Sequence, residues 1–381
     1  MSRPARWVEI DLAALRDNVR ALRRCLPPGT ELMAVVKSDA YGHGMVPVAR
    51  CLAAHGVTAF AVADVGEGVV LRQAGIAGRI VVFLGAGSEE VDVVVHFDLE
   101  PVVFDRRQLP ALSRAACRAG KQLGVHVKID TGMGRIGLLP GEVAEFAASL
   151  ARTANVYPAG IMSHLAAADD PDPELSFLQR RRFSEAVRPL LVGRNEKSML
   201  HLSQSAGLLR FPDMQFDMVR PGLALYGCRP ADATWARAVV LRPVMSFKTR
   251  ILQIREMGPG VGVSYGHTYV TPAPSRLAVL PVGYNDGYLR ALSNRAEVLV
   301  QGRRAHQRGR VCMNVTMVDV TALPGVSPGD EVTLMGRQGD EEISADTLAG
   351  WMGTISYEIL CLVGGRNSRV YLSGSSGENE V

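Results

Sequence analysis

The chain has 381 residues, 47% of them hydrophobic and 21% charged, with a formal net charge of +4 at pH 7. The basic residues are dispersed rather than gathered into a stripe, which argues against a nucleic-acid-binding protein. No apolar run approaches the ~18 residues that a membrane span needs. The start lacks the apolar core of a signal peptide, and the six cysteines form no C-x-x-C pair. We therefore expect a cytoplasmic protein with reduced thiols and no metal centre.

Helical and strand-like patterns alternate from residue 11 onward. Apolar residues recur every three or four positions from Asp11 to Leu26, which predicts an amphipathic helix with Asp11 as its N-cap. Apolar runs then predict strands at 31–37, 58–63, 79–85, 100–104, 125–130, 157–164, 199–205 and 217–226. Helical patterns lie between them, at 44–55, 64–74, 107–120, 141–152 and 173–192. This alternation predicts a closed parallel (β/α)8 barrel of the TIM type over residues 11–235; the alternative, a doubly wound sheet, rarely needs eight such units.

The pattern changes beyond Gly227. Short strand-like runs separated by Gly- and Pro-bearing turns predict a second, mainly β domain over residues 236–372. Residues 1–10 include an extended stretch that we expect to pair with this domain as an N-terminal strand. The tail, 373–381, is rich in Ser, Gly and Glu, and we expect it to be disordered.

In a parallel barrel the functional residues lie at the carboxyl ends of the strands. Reading those ends gives six polar residues, namely Lys37, Lys128, Arg135, His164, Ser205 and Arg220. A lysine that closes the apolar run before residue 37 is costly unless it is exposed, paired or covalently used. Taken alone, Lys37 is more simply a strand-end lysine that extends to solvent. The residues that follow it reverse that preference.

The stretch Val35–Gly44, VVKSDAYGHG, resembles the cofactor-lysine signature of the alanine racemases. The resemblance continues in family order over nearly the whole chain, in Trp7–Asp11, Val125–Gly137, His201–Gly207, Met218–Gly227, Val244–Ile251, Ser264–Gly266, Gly283–Tyr288, Cys312–Met313 and Ser356–Leu360. It implies a homodimer that binds pyridoxal 5'-phosphate and interconverts L- and D-alanine for peptidoglycan. Lys37 would hold the cofactor aldehyde covalently and move a proton on one face of the substrate.

The resemblance also assigns the residues around the cofactor ring. Tyr265 would be the acid/base on the opposite face and would come from the other subunit. His164 would pack against the ring, and Arg220 would donate to the pyridine nitrogen. Because arginine keeps its proton, that nitrogen would stay unprotonated, which favours return of the proton to Cα over transamination.

The remaining assignments concern the phosphate, the substrate and the entrance, and all come from the resemblance. The phosphate donors would be Ser205, Gly222, Leu223, Tyr41 and Tyr357. Arg135 would contact the cofactor phenolate and the substrate carboxylate, which the backbone amide of Met313 would also bind. Tyr284, Tyr357 and Tyr265 would form a narrow entrance. Lys128 would be carbamylated, giving an anion that orients Arg135.

Several residues depart from the family pattern. Gln204 stands beside the phosphate serine where asparagine is usual, Asn314 replaces an aspartate after Met313, and Asn285 precedes Asp286 in the entrance motif. The two asparagines leave the breadth of substrate specificity open. Stretches 306–308 and 367–368 also differ from the family, without an explanation in the sequence.

Other functions remain as alternatives. A serine or broad-specificity racemase would use the same scaffold. A related decarboxylase is disfavoured because Arg220, rather than an acid, would face the ring nitrogen. A non-catalytic carrier of the cofactor would consist of a barrel alone. Gly132–Gly137 formally matches the dinucleotide fingerprint G-x-G-x-x-G, but Pro140 delays the following helix and no suitable acidic residue follows.

Overall fold

A computed structural model describes residues 5–191, 198–230 and 234–373. Apart from Ser373, the tail that we expect to be disordered lies outside these residues, and so do residues 1–4 of the N-terminal segment. The first strand, β1, is Arg6–Asp11.

The next eight strands form a closed barrel, as predicted from the alternation of strands and helices. They are β2 Glu31–Val35, β3 Ala59–Val62, β4 Arg79–Val82, β5 Glu100–Val103, β6 Leu123–Lys128, β7 Val156–Met162, β8 Met199–Gln204 and β9 Met218–Arg220. Neighbouring strands are parallel, and β2 closes the barrel by pairing Glu31 with Met218 of β9. Both strand faces are buried in β3 and β6, as expected when helices cover a parallel sheet.

Helices surround the barrel. They are Leu12–Arg23, Met45–Ala54, Val65–Gln73, Val91–His96, Leu109–Ala119, Val143–Ala151, Glu174–Ala186, Arg188–Leu191, Ser205–Arg210 and Thr234–Arg237. The first begins at the predicted cap, because the Asp11 carboxylate accepts from the Ala14 N–H at 2.9 Å. Some details differ from the sequence-based prediction. Helices Val91–His96, Ser205–Arg210 and Thr234–Arg237 were not predicted, and residues 223–226 form a 3-10 turn rather than the end of a strand.

The C-terminal part is mainly β, which confirms the predicted fold class. Its strands are β10 Met245–Arg250, β11 Gln253–Met257, β12 Gly262–Val263, β13 Tyr269–Val270, β14 Ser275–Leu280, β15 Glu297–Val300, β16 Arg303–His306, β17 Thr316–Asp319, β18 Glu331–Gln338, β19 Glu341–Ile343 and β20 Arg369–Leu372. The largest sheet has the order β16-β15-β18-β10-β1-β20, with β19 paired to β18. Strand β1 lies antiparallel to β10 and parallel to β20, so residues 6–11 are part of this sheet.

Two apolar helices, Ala345–Met352 and Ser356–Arg366, complete the C-terminal part. In the described part of the chain no single helix is long and apolar enough to span a membrane; these two, bent by 105°, pass that test only as a pair and only by length and composition. Helix Ser356–Arg366 lies against the turn that follows β2. A Cβ at Gly364 would be 2.1 Å from the carbonyl oxygen of Gly42, and one at Gly42 would be 2.5 Å from that of Leu360. Glycine at both positions lets the two backbones touch, which joins the C-terminal part to the barrel mouth.

Candidate active site

Lys37 begins a left-handed turn at the mouth of the barrel. Strand β2 ends at Val35, two residues earlier than predicted, and the four residues after Lys37 all have positive φ: Ser38 53°, Asp39 52°, Ala40 55° and Tyr41 52°. A left-handed conformation costs roughly 1–2 kcal/mol for each non-glycine residue, so the surrounding contacts must hold this turn in place.

Three kinds of contact hold the turn. Asp39 accepts from the Met45 N–H at 2.6 Å and pairs with Arg369 at 2.6 Å. His43 is fully buried, and its Nδ1 lies 2.8 Å from the carbonyl oxygen of Ala40. Burial lowers the pKa of His43 to about 4, so the ring is neutral and its single proton is placed on Nδ1, where it bonds to the Ala40 carbonyl.

Glu67 ties Lys37 to the neighbouring strand. One of its carboxylate oxygens accepts from the Ser38 N–H at 2.6 Å, and the other accepts from the Ala63 N–H at 2.7 Å. The exit of β2 and the exit of β3 are therefore bridged by one carboxylate. Sequence analysis did not single out Glu67, because its partner lies 29 positions away.

Lys37 shares the mouth with other cations. Burial first, and then the charge of Arg135, lower the pKa of Lys37, while the Glu67 carboxylate partly offsets them. Lys128 is only 7% exposed, and burial together with Arg220 and Arg135 lowers its pKa to about 7. Both amines therefore lose a proton more readily than a solvated lysine, which makes them candidate bases or nucleophiles.

Arg220 is fixed on several sides inside the barrel. It is 2% exposed; its NH2 group donates to the carbonyl oxygens of Ser163 at 2.6 Å and Leu202 at 2.9 Å, and its NH1 donates to His201 Nδ1 at 3.0 Å. Burial lowers its pKa to about 9, which still leaves the guanidinium charged at neutral pH. His164 Nδ1 lies 3.5 Å from the same NH2 group. Burial and the Arg220 charge hold the pKa of His164 well below its ordinary value, so this imidazole is neutral.

A small cradle lies beside this cluster, where β8 and β9 end. The Ser205 hydroxyl accepts from the N–H groups of Gly222 at 3.0 Å and Ala224 at 3.2 Å. A Cβ on Gly222 would be 2.5 Å from the Tyr41 hydroxyl, so only glycine lets the loop approach that ring. The Tyr357 ring lies 5.7 Å from that of Tyr41. Hydroxyl groups and a glycine backbone that converge in this way suit a phosphate group.

The residues around this cradle account for one departure from the family. The Gln204 side chain accepts from the Gly207 N–H at 2.7 Å and so caps the helix Ser205–Arg210. Leu223 is buried in the 3-10 turn that follows Gly222. Gln204 thus holds the segment that carries Ser205 in place.

Arg135 lies at the end of a loop that Asp130 folds. The Asp130 carboxylate accepts from the backbone N–H groups of Gly132, Met133, Gly134 and Arg135 at 2.8–3.2 Å. Burial alone would raise the pKa of Asp130, but these four donors outweigh it and lower the pKa. The formal G-x-G-x-x-G stretch is therefore a carboxylate-centred turn that presents an exposed arginine, and its aspartate was missed by sequence analysis.

Tyr265, Tyr284 and Met313 lie together on the C-terminal part. Their exposed fractions are 68%, 37% and 55%. The Tyr284 N–H donates to the Cys312 carbonyl at 3.1 Å, and the Ser264 hydroxyl, next to Tyr265, lies 3.3 Å from Cys312 Sγ. The fold thus brings these three together as an exposed group. Within one chain these three side chains stay exposed and are not buried against Lys37.

The residues around Tyr284 account for another departure. The Asn367 side chain donates both to the carbonyl oxygen of Asp286 and to that of Val363, each at 2.8 Å. It therefore closes the end of helix Ser356–Arg366 and also anchors the turn Tyr284–Asp286. Asn314 is exposed, and nothing in the structure explains its replacement of aspartate.

The residues at the barrel mouth fit pyridoxal phosphate. They offer an amine with a lowered pKa at Lys37, a guanidinium at Arg220, and a hydroxyl-lined cradle at Tyr41, Ser205 and Gly222. These are the groups that an aldehyde, a ring nitrogen and a phosphate require.

Comparison with known proteins identifies the family over nearly the whole chain. The models of the alanine racemase N-terminal and C-terminal domains match residues 10–230 and 244–371. The chain is 43% identical to the alanine racemase of Syntrophobacter fumaroxidans (98% of this chain and 99% of that protein) and 44% identical to that of Symbiobacterium thermophilum (96% of each).

Solved structures agree. The alanine racemase of Clostridium difficile 630 is 33% identical with a TM-score of 0.92, over 98% of this chain and 97% of that one. The Bacillus anthracis alanine racemase with bound L-Ala-P is 35% identical with a TM-score of 0.90, over 99% and 97%. The chain belongs to the alanine racemase family.

Proposed function

We propose that the chain interconverts L-alanine and D-alanine with pyridoxal phosphate bound at Lys37, supplying D-alanine for peptidoglycan in the cytoplasm. The observation that carries this proposal is the lysine with a lowered pKa, set in a strained turn beside Arg220 and the Ser205 cradle. When bound, the cofactor supplies an electron sink that acidifies the Cα–H bond of the amino acid. The chain's own residues bind, orient and move the proton.

Lys37 would take and return the proton on one face of the substrate carbon. A solvated lysine, with a pKa of ~10.4, is almost fully protonated at neutral pH and is a poor base. Burial and Arg135 lower the pKa of Lys37, which increases its neutral fraction. Glu67 prevents free rotation of the turn by holding the Ser38 N–H at 2.6 Å, so that the amine returns to one position.

Arg220 and His164 would hold the ring of the cofactor. The guanidinium donates and cannot accept, so it would leave the ring nitrogen unprotonated. Its plane is set by the carbonyl oxygens of Ser163 and Leu202. His164, neutral and next to Arg220, would pack against the ring. The phosphate would bind among Tyr41, Ser205, Gly222, Leu223 and Tyr357.

Arg135 and Lys128 would act on the substrate side. Arg135 would contact the cofactor phenolate and the substrate carboxylate. Because the pKa of Lys128 is about 7, much of its amine is neutral at physiological pH and is a nucleophile for CO₂. CO₂ would add to the neutral amine with release of one proton, and the resulting carbamate would place a negative charge near Arg135 and Arg220, which both cations favour.

Tyr265 would act on the opposite face, from a second subunit. In one chain it is 68% exposed, next to Tyr284 and Met313, which are the other residues expected to meet the substrate. A two-fold dimer would place this group over the partner's barrel mouth. We propose the corresponding division of the chain, with residues 11–235 as the barrel domain that binds the cofactor and 236–372 as the domain that supplies Tyr265.

A chiral assay of the purified protein with alanine, serine, lysine and arginine tests this function. We expect alanine to be the best substrate and serine the second, since one extra polar atom in a small pocket costs only about 1–3 kcal/mol. Lys37→Ala is the inactive control. Equal efficiency with lysine or arginine would contradict the narrow entrance, and cofactor binding without α-proton exchange would indicate a carrier.

A further inference from the structure

A continuous set of polar contacts crosses the interior of the barrel from one end to the other. Arg79 Nε lies 3.0 Å from Glu100 Oε2, which lies 2.7 Å from His126 Nε2. His126 Nδ1 lies 2.9 Å from His201 Nε2, and His201 Nδ1 accepts from Arg220 at 3.0 Å. Arg79 and Glu100 are the first residues of β4 and β5, whereas Arg220 is the last residue of β9.

The two ends of this set fix the direction of every hydrogen bond in it. Arg220 can only donate, so His201 Nδ1 must be bare and its proton must be on Nε2. That proton is donated to His126 Nδ1, so the His126 proton is also on Nε2. An ionised Glu100 can only accept, and it receives this last proton. Reading from either end gives the same assignment.

The charges agree with this assignment. Both imidazoles are 0% exposed, and burial lowers the pKa of each. Burial alone would raise the pKa of Glu100, but His126 and Arg79 outweigh it, so the group remains a carboxylate. A second proton on either histidine would set two N–H groups against each other in a fully buried site.

The backbone also leaves room for the contact between the two rings. A Cβ on Gly160 of β7 would lie 2.3 Å from His126 Nδ1 and 3.0 Å from His201 Nε2. Any other residue at this position would occupy the space of the hydrogen bond. Gly160 is therefore the position at which the path can be broken without removing a polar group.

We propose that Glu100, at the end of the barrel opposite the active site, is a positioning residue that fixes His126 and His201 as neutral Nε2–H tautomers. His201 then presents a bare nitrogen to Arg220. With the opposite tautomer, His201 would turn an N–H toward the donors of Arg220 and displace the guanidinium. The consequence for the cofactor ring rests on the proposed function, whereas the tautomers follow from this chain alone.

Nitrogen-15 NMR of histidine-labelled protein tests the proposal directly, because coupling to the ring protons shows which nitrogen carries the proton. We expect Nε2–H in both His126 and His201. In Glu100→Gln the end group can donate as well as accept, so only Arg220 still favours the Nε2–H forms, and we expect a second, exchanging tautomer in at least one of the two rings. Affinity for pyridoxal phosphate, measured by absorbance, should fall by about tenfold, the worth of one hydrogen bond to a charged group.

Two matched controls distinguish the positioning role of Glu100 from a general loss of stability. Glu31→Gln removes a second carboxylate near Arg79, 3.9 Å away, that bonds to Thr58 and to neither His126 nor His201. It should leave both tautomers unchanged. Gly160→Ala should alter the His201 signals, whereas Gly124→Ala, whose methyl would meet Ala159 and Tyr157, should not.

The outcomes are distinct. A proton on Nδ1 of either ring in the unmodified protein, or a doubly protonated ring at neutral pH, overturns the proposal even if Glu100→Gln fails to fold. Unchanged tautomers in a folded Glu100→Gln protein overturn it as well. Expected tautomers in a protein that does not racemise alanine would contradict the proposed function and leave this inference standing.

Discussion

The backbone N–H of Ser38, the residue after Lys37, donates to Glu67 at 2.6 Å, and the same carboxylate accepts from Ala63 at 2.7 Å. One side chain therefore fixes the strained turn of the proposed cofactor lysine to the adjacent strand and also places a negative charge near the amine. The position and the pKa of Lys37 therefore both depend partly on Glu67, which lies on the helix that follows β3.

Glu67→Gln should lower the pKa of Lys37 and weaken its position at once. The amide can accept from only one of the two N–H groups, and the negative charge that raises the Lys37 pKa is lost. The pH dependence of aldehyde addition to Lys37 in cofactor-free protein measures that pKa. We expect a shift to lower pH and a kcat reduced by about tenfold or more. Glu142→Gln, at an exposed helix start, is the control and should leave the pH profile unchanged. An unshifted profile in Glu67→Gln would mean that Glu67 does not influence the pKa of Lys37.

Because of Lys128, the free energy of unfolding should increase as the pH rises. Its pKa is about 7 in the folded chain and ~10.4 unfolded, so between these values the unfolded chain binds the extra proton and raising the pH favours folding. Lys128→Met should therefore raise Tm most at and below pH 7 in CO₂-free buffer, with a benefit that shrinks as the pH rises toward 10. Added bicarbonate should stabilise the unmodified protein but not the variant.

Lys248 is the matched control for this pH series. Burial alone would lower its pKa, but Glu9 and Glu331, at 2.9 and 3.0 Å, outweigh it and raise the pKa. Lys248→Met should lower Tm rather than raise it. A Tm benefit of Lys128→Met that did not depend on pH would mean that Lys128 is not a buried base in the folded protein.

Much of the barrel was predictable because its signals are local. Runs of apolar residues alternate with helical periodicity, and the strand ends carry Lys37, Lys128, His164, Ser205 and Arg220. The partners of those residues were not predictable in this way. Glu67 lies 29 positions from Ser38, and His201 lies 75 positions from His126, so only closure of the barrel brings them together.

Other features depend on geometry that no residue pattern carries. Ser38 to Tyr41 have left-handed φ angles although none of them is glycine, so the sequence does not indicate this turn. Strand β2 ends before Lys37, where the turn begins. The backbone approach of Gly42 and Gly364 joins two parts of the chain that are far apart in sequence. The proposed place of Tyr265 over a barrel mouth would require a second copy of the chain, and only the family resemblance suggested it.

Tyr265→Ala should affect the two directions of proton removal unequally. If Lys37 serves the D-face and Tyr265 the L-face, loss of α-deuterium from labelled L-alanine should collapse, while loss from D-alanine should persist through the lysine. Mass spectrometry of the recovered amino acid measures both rates. Tyr269→Ala, a nearby tyrosine outside the proposed site, should leave both unchanged. An equal loss in both directions for Tyr265→Ala would mean that the two bases are misassigned.

Borohydride reduction should make the bond between the cofactor and its lysine permanent, so that the lysine can be identified. Reduction of the yellow protein followed by peptide mapping should place the label on Lys37, whose pKa is lowered by burial and Arg135. Lys128 is the internal control, since its amine is also easily deprotonated but lies deeper in the barrel. Label on Lys128 or on the surface Lys121 would contradict the assignment of the cofactor lysine.

The most direct test of the central claim, that Lys37 and Tyr265 of different subunits are the two bases of one site, is subunit complementation. Inactive Lys37→Ala and Tyr265→Ala proteins are dissociated, mixed in equal amounts and reassociated, with subunit exchange verified by native mass spectrometry. Half of the dimers are then mixed, and each holds one site with both lesions and one with none. Racemisation should return to about a quarter of the unmodified rate. No recovery despite verified exchange would place both residues in the same chain and contradict the composite site.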